Sequence, residues 1–179
     1  MNWLIEMDKS WFYLINLSGK HFLDGFMLFA THKLSWIPLY LALVILIVRE
    51  KGKESIWILG TIGLVIACCD LGSVHLFKNV FQRLRPCHAL EQVRLVTEGC
   101  GGQFGFISSH ASNVFGLAIV IGRIMNKKWL FIALFLWATI VSYSRVYVGV
   151  HYPLDILGGM LWGTFVALVF VSLYKYKRV

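Results

Sequence analysis

Charged side chains make up only 15% of the 179 residues, and just nine of them are acidic. With 58% of the chain hydrophobic and 15% aromatic, a soluble domain of this size would lack the polar surface to cover itself. The scarcity of charge therefore points to a membrane, and the length accommodates one domain, 1–179, with no second. A cleaved secretory signal is not expected, because Glu6, Asp8 and Lys9 fall where its apolar core would have to be, in "MNWLIEMDKSWF".

What the chain does have is a series of apolar runs bounded by charges. Spans are expected at roughly 34–48, 55–77, 109–125, 129–143 and 154–174, each approaching the ~20 residues a bilayer requires. The first is short and carries Pro38. Residues 1–33 alternate apolar side chains with Lys20, His21 and Asp24, a pattern suited to amphipathic helices in the membrane interface, with a sixth span as the alternative. The expected fold is an all-α polytopic membrane helix bundle: about five transmembrane helices in 34–179, plus interfacial helices in 1–33.

Basic residues cluster after alternate spans: Arg49, Lys51 and Lys53, then Arg123, Lys127 and Lys128, then Lys175, Lys177 and Arg178. All fall on one side, which the positive-inside rule makes cytoplasmic. These nine of the 17 Lys and Arg residues make a nucleic-acid partner unnecessary to explain the net charge of +8. The other side, outward-facing in a bacterial cytoplasmic (inner) membrane, is an oxidising place, so Cys87 and Cys100 in one loop are a candidate disulfide. Cys68 and Cys69, inside a span, read as apolar packing residues.

Three polar clusters gather on that outer side. In "KNVFQRLRP", Lys78 and Arg85 are seven residues apart, so two helical turns would point them the same way before Pro86 ends the helix; Arg83 lies off that face. In "GFISSHASNVFG", Ser108 and Ser109 open a span and His110 follows. Serines there cap free amides, and those amides with the helix dipole can hold an anion. In "SRVYVGVHYPLDILGG", Arg145 precedes His151 by six residues and Asp155 follows by four. Pro153 suits a first helical turn, so the Asp155 carboxylate can reach back to one imidazole nitrogen and fix its tautomer, while Gly158 and Gly159 allow close helix packing. Three cations, a helix N-terminus and two histidines match the needs of phosphoryl transfer.

These motifs, Lys78 with six residues to Arg85–Pro86, then Ser108–Ser109–His110, then Arg145 with five residues to His151 and three to Asp155, resemble the signatures of the type 2 phosphatidic acid phosphatase superfamily. That group includes membrane lipid phosphate phosphatases, glucose-6-phosphatase, bacterial acid phosphatases and vanadium-dependent haloperoxidases. The resemblance implies His151 as the nucleophile forming a phosphohistidine, Asp155 as its orienting group and His110 as the leaving-group acid. It implies Lys78, Arg85, Arg145, Ser108 and Ser109 as phosphate ligands, and neither a metal nor another cofactor. The family pattern usually has proline before the serine and glycine after it; this chain has Ile107 and Ser109.

Two other readings compete. His151 and Asp155 could ligate a metal, although the three cations would repel a divalent ion. A transporter or channel binding an anion would make Asp70, within a span, the suggestive residue, where a structural pairing is the plainer role. Under the phosphatase reading the partner is an amphiphile in the bilayer, such as undecaprenyl pyrophosphate, phosphatidylglycerophosphate or a lipid A phosphate. The loop 87–106 would cover the pocket, with Glu91, Arg94 and Glu98 able to meet a headgroup.

Overall fold

The computed structural model describes residues 2–176. The apolar runs become helices because the bilayer leaves backbone groups no partner but each other. Those helices are α3 (Ile37–Lys51), α4 (Ser55–Gly72), α5 (Ser109–Met125), α6 (Lys128–Tyr147) and α7 (Pro153–Tyr176), preceded by α1 (Asn2–Asn16) and α2 (His21–Thr31). No strand forms among the described residues. Three stretches are long and apolar enough to cross a bilayer: Lys33–Phe81, Lys128–Tyr147 and Pro153–Tyr176. The first holds both α3 and α4, which reverse direction at Gly52, whose φ of 51° suits a residue without a side chain. Pro38 sits in the first turn of α3, where its missing N–H costs nothing.

Helix α5 is the hub. Nearly all its residues are buried, and it packs against α4, α6 and α7. The contact with α7 is close enough to demand glycine: a methyl at Gly159 would stand 2.9 Å from Ala111 Cβ, and one at Gly158 would stand 2.5 Å from Ile107 Cγ2.

The basic clusters meet at one end of the bundle. Lys127 pairs with Glu50, and the Tyr174 hydroxyl bonds Glu54, which ties the α3–α4 turn to the α5–α6 turn and to the end of α7. Lys177 and Arg178 of the third cluster lie outside the described residues. The opposite end is capped by α1 and α2. Asn16 donates to the carbonyls of Arg94 (2.9 Å) and Tyr147 (2.8 Å), and Phe12 meets the Tyr152 ring edge-on at 5.5 Å.

Candidate active site

Helix α4 does not end as an ordinary helix. It passes into a π-turn, Ser73–Lys78, and a last turn, Asn79–Phe81, and stops at Gln82 with left-handed backbone (φ 46°). The expectation that Lys78 and Arg85 share a helical face is therefore corrected. Arg85 arrives on extended backbone (φ −68°, ψ 156°), and Pro86 opens a short separate helix. The approach is held by the loop that follows: Arg85 N–H donates to Gln103 O (3.2 Å) and Gly105 N–H to Arg83 O (2.8 Å). The Arg85 guanidinium donates to Cys100 O at 3.1 Å and Phe104 O at 3.3 Å. Cys87 and Cys100 are paired, Cα atoms 6.0 Å apart, which ties that loop to the residue after Pro86.

Lys78 and Arg85 nevertheless converge, with Ser109, His110, Arg145 and His151, on a pocket of about 480 Å³. The pocket shares a wall, including Lys78, Arg85, Ser109 and His110, with a larger cavity of about 910 Å³ that runs down between α3, α4, α5 and α6.

The two serines divide their work. Ser108 is fully buried, and its hydroxyl accepts from Ala111 N–H at 3.4 Å as the α5 cap, while its own N–H donates to Asp155 O at 2.9 Å. Ser109 is the one that lines both cavities. Lys78 Nζ donates to Ser109 Oγ at 2.6 Å, Ser109 and Ser73 hydroxyls lie 2.5 Å apart, and Ser73 Oγ donates to Asp70 O at 2.8 Å. A carbonyl can only accept, so Ser73 spends its proton there and Ser109 must donate to Ser73. The five-residue step of the π-turn is what brings Ser73 and Lys78 to the same hydroxyl.

His151 is 1% exposed, in the short connection between α6 and α7. Its Nδ1 lies 3.2 Å from Asp155 Oδ2, as the four-residue spacing predicts. Burial, then the positive charges of Arg145, Arg85 and Lys78, hold the imidazole well below the ordinary histidine pKa. The ring is thus a free base with Nδ1–H donated to Asp155 and an Nε2 lone pair to offer. Asp155 is fully engaged: Oδ2 also accepts from Tyr152 N–H (3.0 Å), and Oδ1 accepts from Arg83 Nη1 (3.0 Å).

Arg83, set aside by helical spacing, is a member of the site. Its Nη2 donates to Asp8 Oδ2 at 2.6 Å, its guanidinium lies 4.0 Å from the centre of the Tyr152 ring, and Asp8 Oδ1 accepts from Leu154 N–H at 2.9 Å. Burial raises Asp8 above the usual carboxylate range, with Arg83 and Leu154 pulling it back. Nothing in spacing ties Asp8 to Arg83 75 positions away; the signal was a lone acid on the apolar side of an amphipathic helix.

The first residues matter elsewhere too. Thr31 accepts from Arg145 Nη1 at 2.5 Å, and His32 and Lys33 line the pocket, so His32 belongs to the site's wall as well as its surface. His75, one turn before Lys78, is exposed and lines neither cavity. Arg94 does not meet the pocket: it pairs with Asp24, and its guanidinium lies over the Tyr147 ring. Of the covering loop, Thr97, Gly99, Cys100 and Gly101 reach the pocket wall, and Glu91 and Glu98 do not.

A profile of the PAP2 superfamily matches residues 54–178. Lipid A 4'-phosphatase of Porphyromonas gingivalis is 32% identical over 99% of this chain and 77% of its own length. Undecaprenyl-diphosphatase of Sulfolobus acidocaldarius is 34% identical over 94% of this chain and 79% of its own. Among solved structures, Aquifex aeolicus LpxE superposes with a TM-score of 0.73 at 28% identity, covering 91% of this chain and 93% of that one. A transmembrane PAP2-type phosphatidylglycerolphosphate phosphatase of Bacillus subtilis shares the fold, with a TM-score of 0.76 at 24% identity over 99% of this chain and 88% of its own.

Proposed function

The chain belongs to the PAP2 superfamily and is a lipid phosphate phosphatase rather than a transporter, and on that footing we propose the steps by which it releases phosphate from a membrane lipid. His151 Nε2 attacks phosphorus, forming a P–N bond as the P–O bond to the lipid breaks. His110 gives a proton to the departing oxygen. Water then attacks the phosphohistidine, His110 takes the water's proton, and inorganic phosphate leaves with the His151 lone pair restored. Lys78, Arg85 and Arg145 surround the transferring group with the positive charge that its equatorial oxygens need. Ser109 acts on phosphate mainly through Lys78, and Ser108 as the cap that sets the first free amides of α5.

The observation that carries this reading is the buried His151–Asp155 pair opening onto a pocket walled by those three cations and His110. The adjoining cavity supports a lipid substrate. Its lower part is lined by Leu43, Ile47, Leu59, Ile66, Leu117 and Ile121, so an acyl or prenyl tail can remain in an apolar surround while the phosphate sits at headgroup level.

Five crossings by α3 to α7, with α1 and α2 in the interface, would put the basic ends in the cytoplasm and the active site on the outer face of a bacterial cytoplasmic membrane. At 11 residues α2 is too short to cross alone, and the 15 residues of α1 carry Glu6, Asp8 and Lys9 in their middle.

The relatives' names make lipid A phosphate and undecaprenyl diphosphate the first substrates to try, with phosphatidylglycerophosphate third. Purified full-length protein in mixed micelles should release inorganic phosphate from at least one of them, at a rate unchanged by chelator. Turnover that stops on chelation and returns with a divalent ion would overturn the histidine-nucleophile mechanism.

A further inference from the structure

The groups assigned to phosphate so far, Lys78, Arg85, Ser109, Arg145 and the two histidines, all fall within the residues 54–178 that match the PAP2 superfamily. The pocket has another wall. Thr31, His32, Lys33 and Leu34, from the end of α2 and the turn after it, line it as well. Of these four only Thr31 is buried, and it also lines the larger cavity.

Helix α2 is built to hold Thr31 in place. Asp24, Met27 and Thr31 recur at three and four residues, so they share one face of α2, which packs on α6. Asp24 accepts from the Tyr147 hydroxyl at 2.8 Å, and Met27 packs with Tyr147, Val148 and Val150. At the end of the helix Trp36 Nε1 donates to Ala30 O at 2.9 Å and His32 N–H to Leu28 O at 3.1 Å. Thr31 continues the row, and there it meets Arg145.

Arg145 Nη1 donates to Thr31 Oγ1 at 2.5 Å, so the hydroxyl accepts and keeps its own proton to give. A helical threonine can spend that proton on the carbonyl four residues back, as Thr61 does on Trp57 O (2.8 Å) and Thr139 on Phe135 O (2.9 Å). Thr31 does not: among the described residues no protein acceptor takes its O–H. A guanidinium that donates to the oxygen polarises the hydroxyl and strengthens it as a donor. The uncommitted proton thus sits on an oxygen bonded to a phosphate-binding cation, on a residue of the phosphate pocket's own wall.

We propose that Thr31 is a further substrate ligand, whose O–H donates to an oxygen of the transferring phosphoryl group beside the Arg145 guanidinium. This rests on the phosphatase reading of the pocket. One oxygen does two things: it accepts from Arg145, which orients the guanidinium, and it donates to phosphate, which adds a neutral donor to the ring of cations. A hydrogen bond to a charged acceptor is among the stronger ones, so losing it should weaken phosphoryl binding by roughly ten- to a hundredfold.

The test reads the binding of vanadate, a mimic of the five-coordinate phosphoryl group, from the rise it gives the thermal midpoint of the full-length protein, a readout that needs no turnover. Thr31→Val keeps the side chain's shape and loses the hydroxyl; Thr31→Ser keeps the hydroxyl. Vanadate should bind Thr31→Val roughly ten- to a hundredfold more weakly than wild type, and Thr31→Ser within about threefold of it. A residue that only orients Arg145 loses its value once Arg145 is gone. Thr31→Val should therefore still weaken vanadate several-fold in an Arg145→Leu background, or in Arg145→Lys if the leucine variant does not fold. Full affinity in Thr31→Val overturns the proposal. So does a loss that vanishes in the Arg145 variant, which would make Thr31 the holder of Arg145 and no more. A wild type that vanadate does not stabilise at all would instead strike the phosphatase reading itself.

Discussion

Asp8 in the first helix and Asp155 in the last are joined through one guanidinium, Arg83 Nη2 on Asp8 at 2.6 Å and Nη1 on Asp155 at 3.0 Å. Both carboxylates are fully buried, so the positioning of the His151 partner depends on a residue some 150 positions away in sequence. Arg83 and Asp8 are positioning residues, since neither lines the pocket. Arg83→Leu leaves two buried carboxylates facing each other and should cut kcat by ~10² while KM changes little, as small displacements of a reacting group do. Asp8→Asn should cost less, and Arg83→Lys should recover part of the loss. Steady-state kinetics on the folded variants decides: an unchanged kcat, or a loss confined to KM, contradicts the assignment.

His110 and His151 serve different steps, and the leaving group separates them. General acid catalysis is worth ~10² to 10⁴ and matters most when an alkoxide must depart. His110→Ala should lose most activity on a lipid alkyl phosphate and keep a larger fraction on p-nitrophenyl phosphate, whose oxygen leaves unprotonated. Equal proportional losses would make His110 a phosphate ligand.

Ser109 stands where the family usually has glycine, and its hydroxyl is committed to Lys78 and Ser73. A hydrogen bond to a charged group is worth about 1.5–3 kcal/mol, so Ser109→Gly should lower kcat/KM by roughly ten- to a hundredfold and weaken vanadate inhibition in parallel. Ser73→Ala, one bond further from the ammonium, should cost less. Undiminished activity in Ser109→Gly would show that Lys78 needs no such holder.

Protonating His151 in the folded protein is opposed by burial and by the three cations facing it, while in the unfolded chain it protonates near 6.5. Its contribution to stability is therefore complete above about 6.5 and is lost as pH falls below, because the unfolded state then binds the extra proton. Asp155 is its one carboxylate contact among the described residues. The thermal midpoint should fall more steeply between pH 7.5 and 5.5 in wild type than in His151→Gln. Parallel curves would mean that His151 takes up its proton as readily folded as unfolded.

How much of this was legible in the sequence depended on how local the cause was. The apolar helices from 55 onward, the capping role at Ser108 and the His151–Asp155 contact follow from periodicity and from four-residue spacing beside Pro153, and they appear as expected. The meeting of Lys78 and Arg85 is correct in outcome but not in route, because a π-turn and a left-handed Gln82 replace the helical face and a loop 18 residues on holds Arg85 in place. The Asp8–Arg83 link, the Thr31–Arg145 bond and the Arg94–Asp24 pair join segments far apart in sequence. No local pattern encodes such contacts; packing of α1 and α2 over the end of the bundle creates them.

In the proposed mechanism the phosphoryl group passes through His151. Purified wild type should be mixed with a ³²P-labelled lipid phosphate that it hydrolyses and quenched in alkali within the first turnovers, since phosphohistidine survives base and is lost in acid. Protein-bound label should be stable to alkali, labile to acid and located at His151, with none on His151→Ala, which should also release no phosphate. Label on another residue, or phosphate release by His151→Ala at a rate near that of wild type, would contradict it.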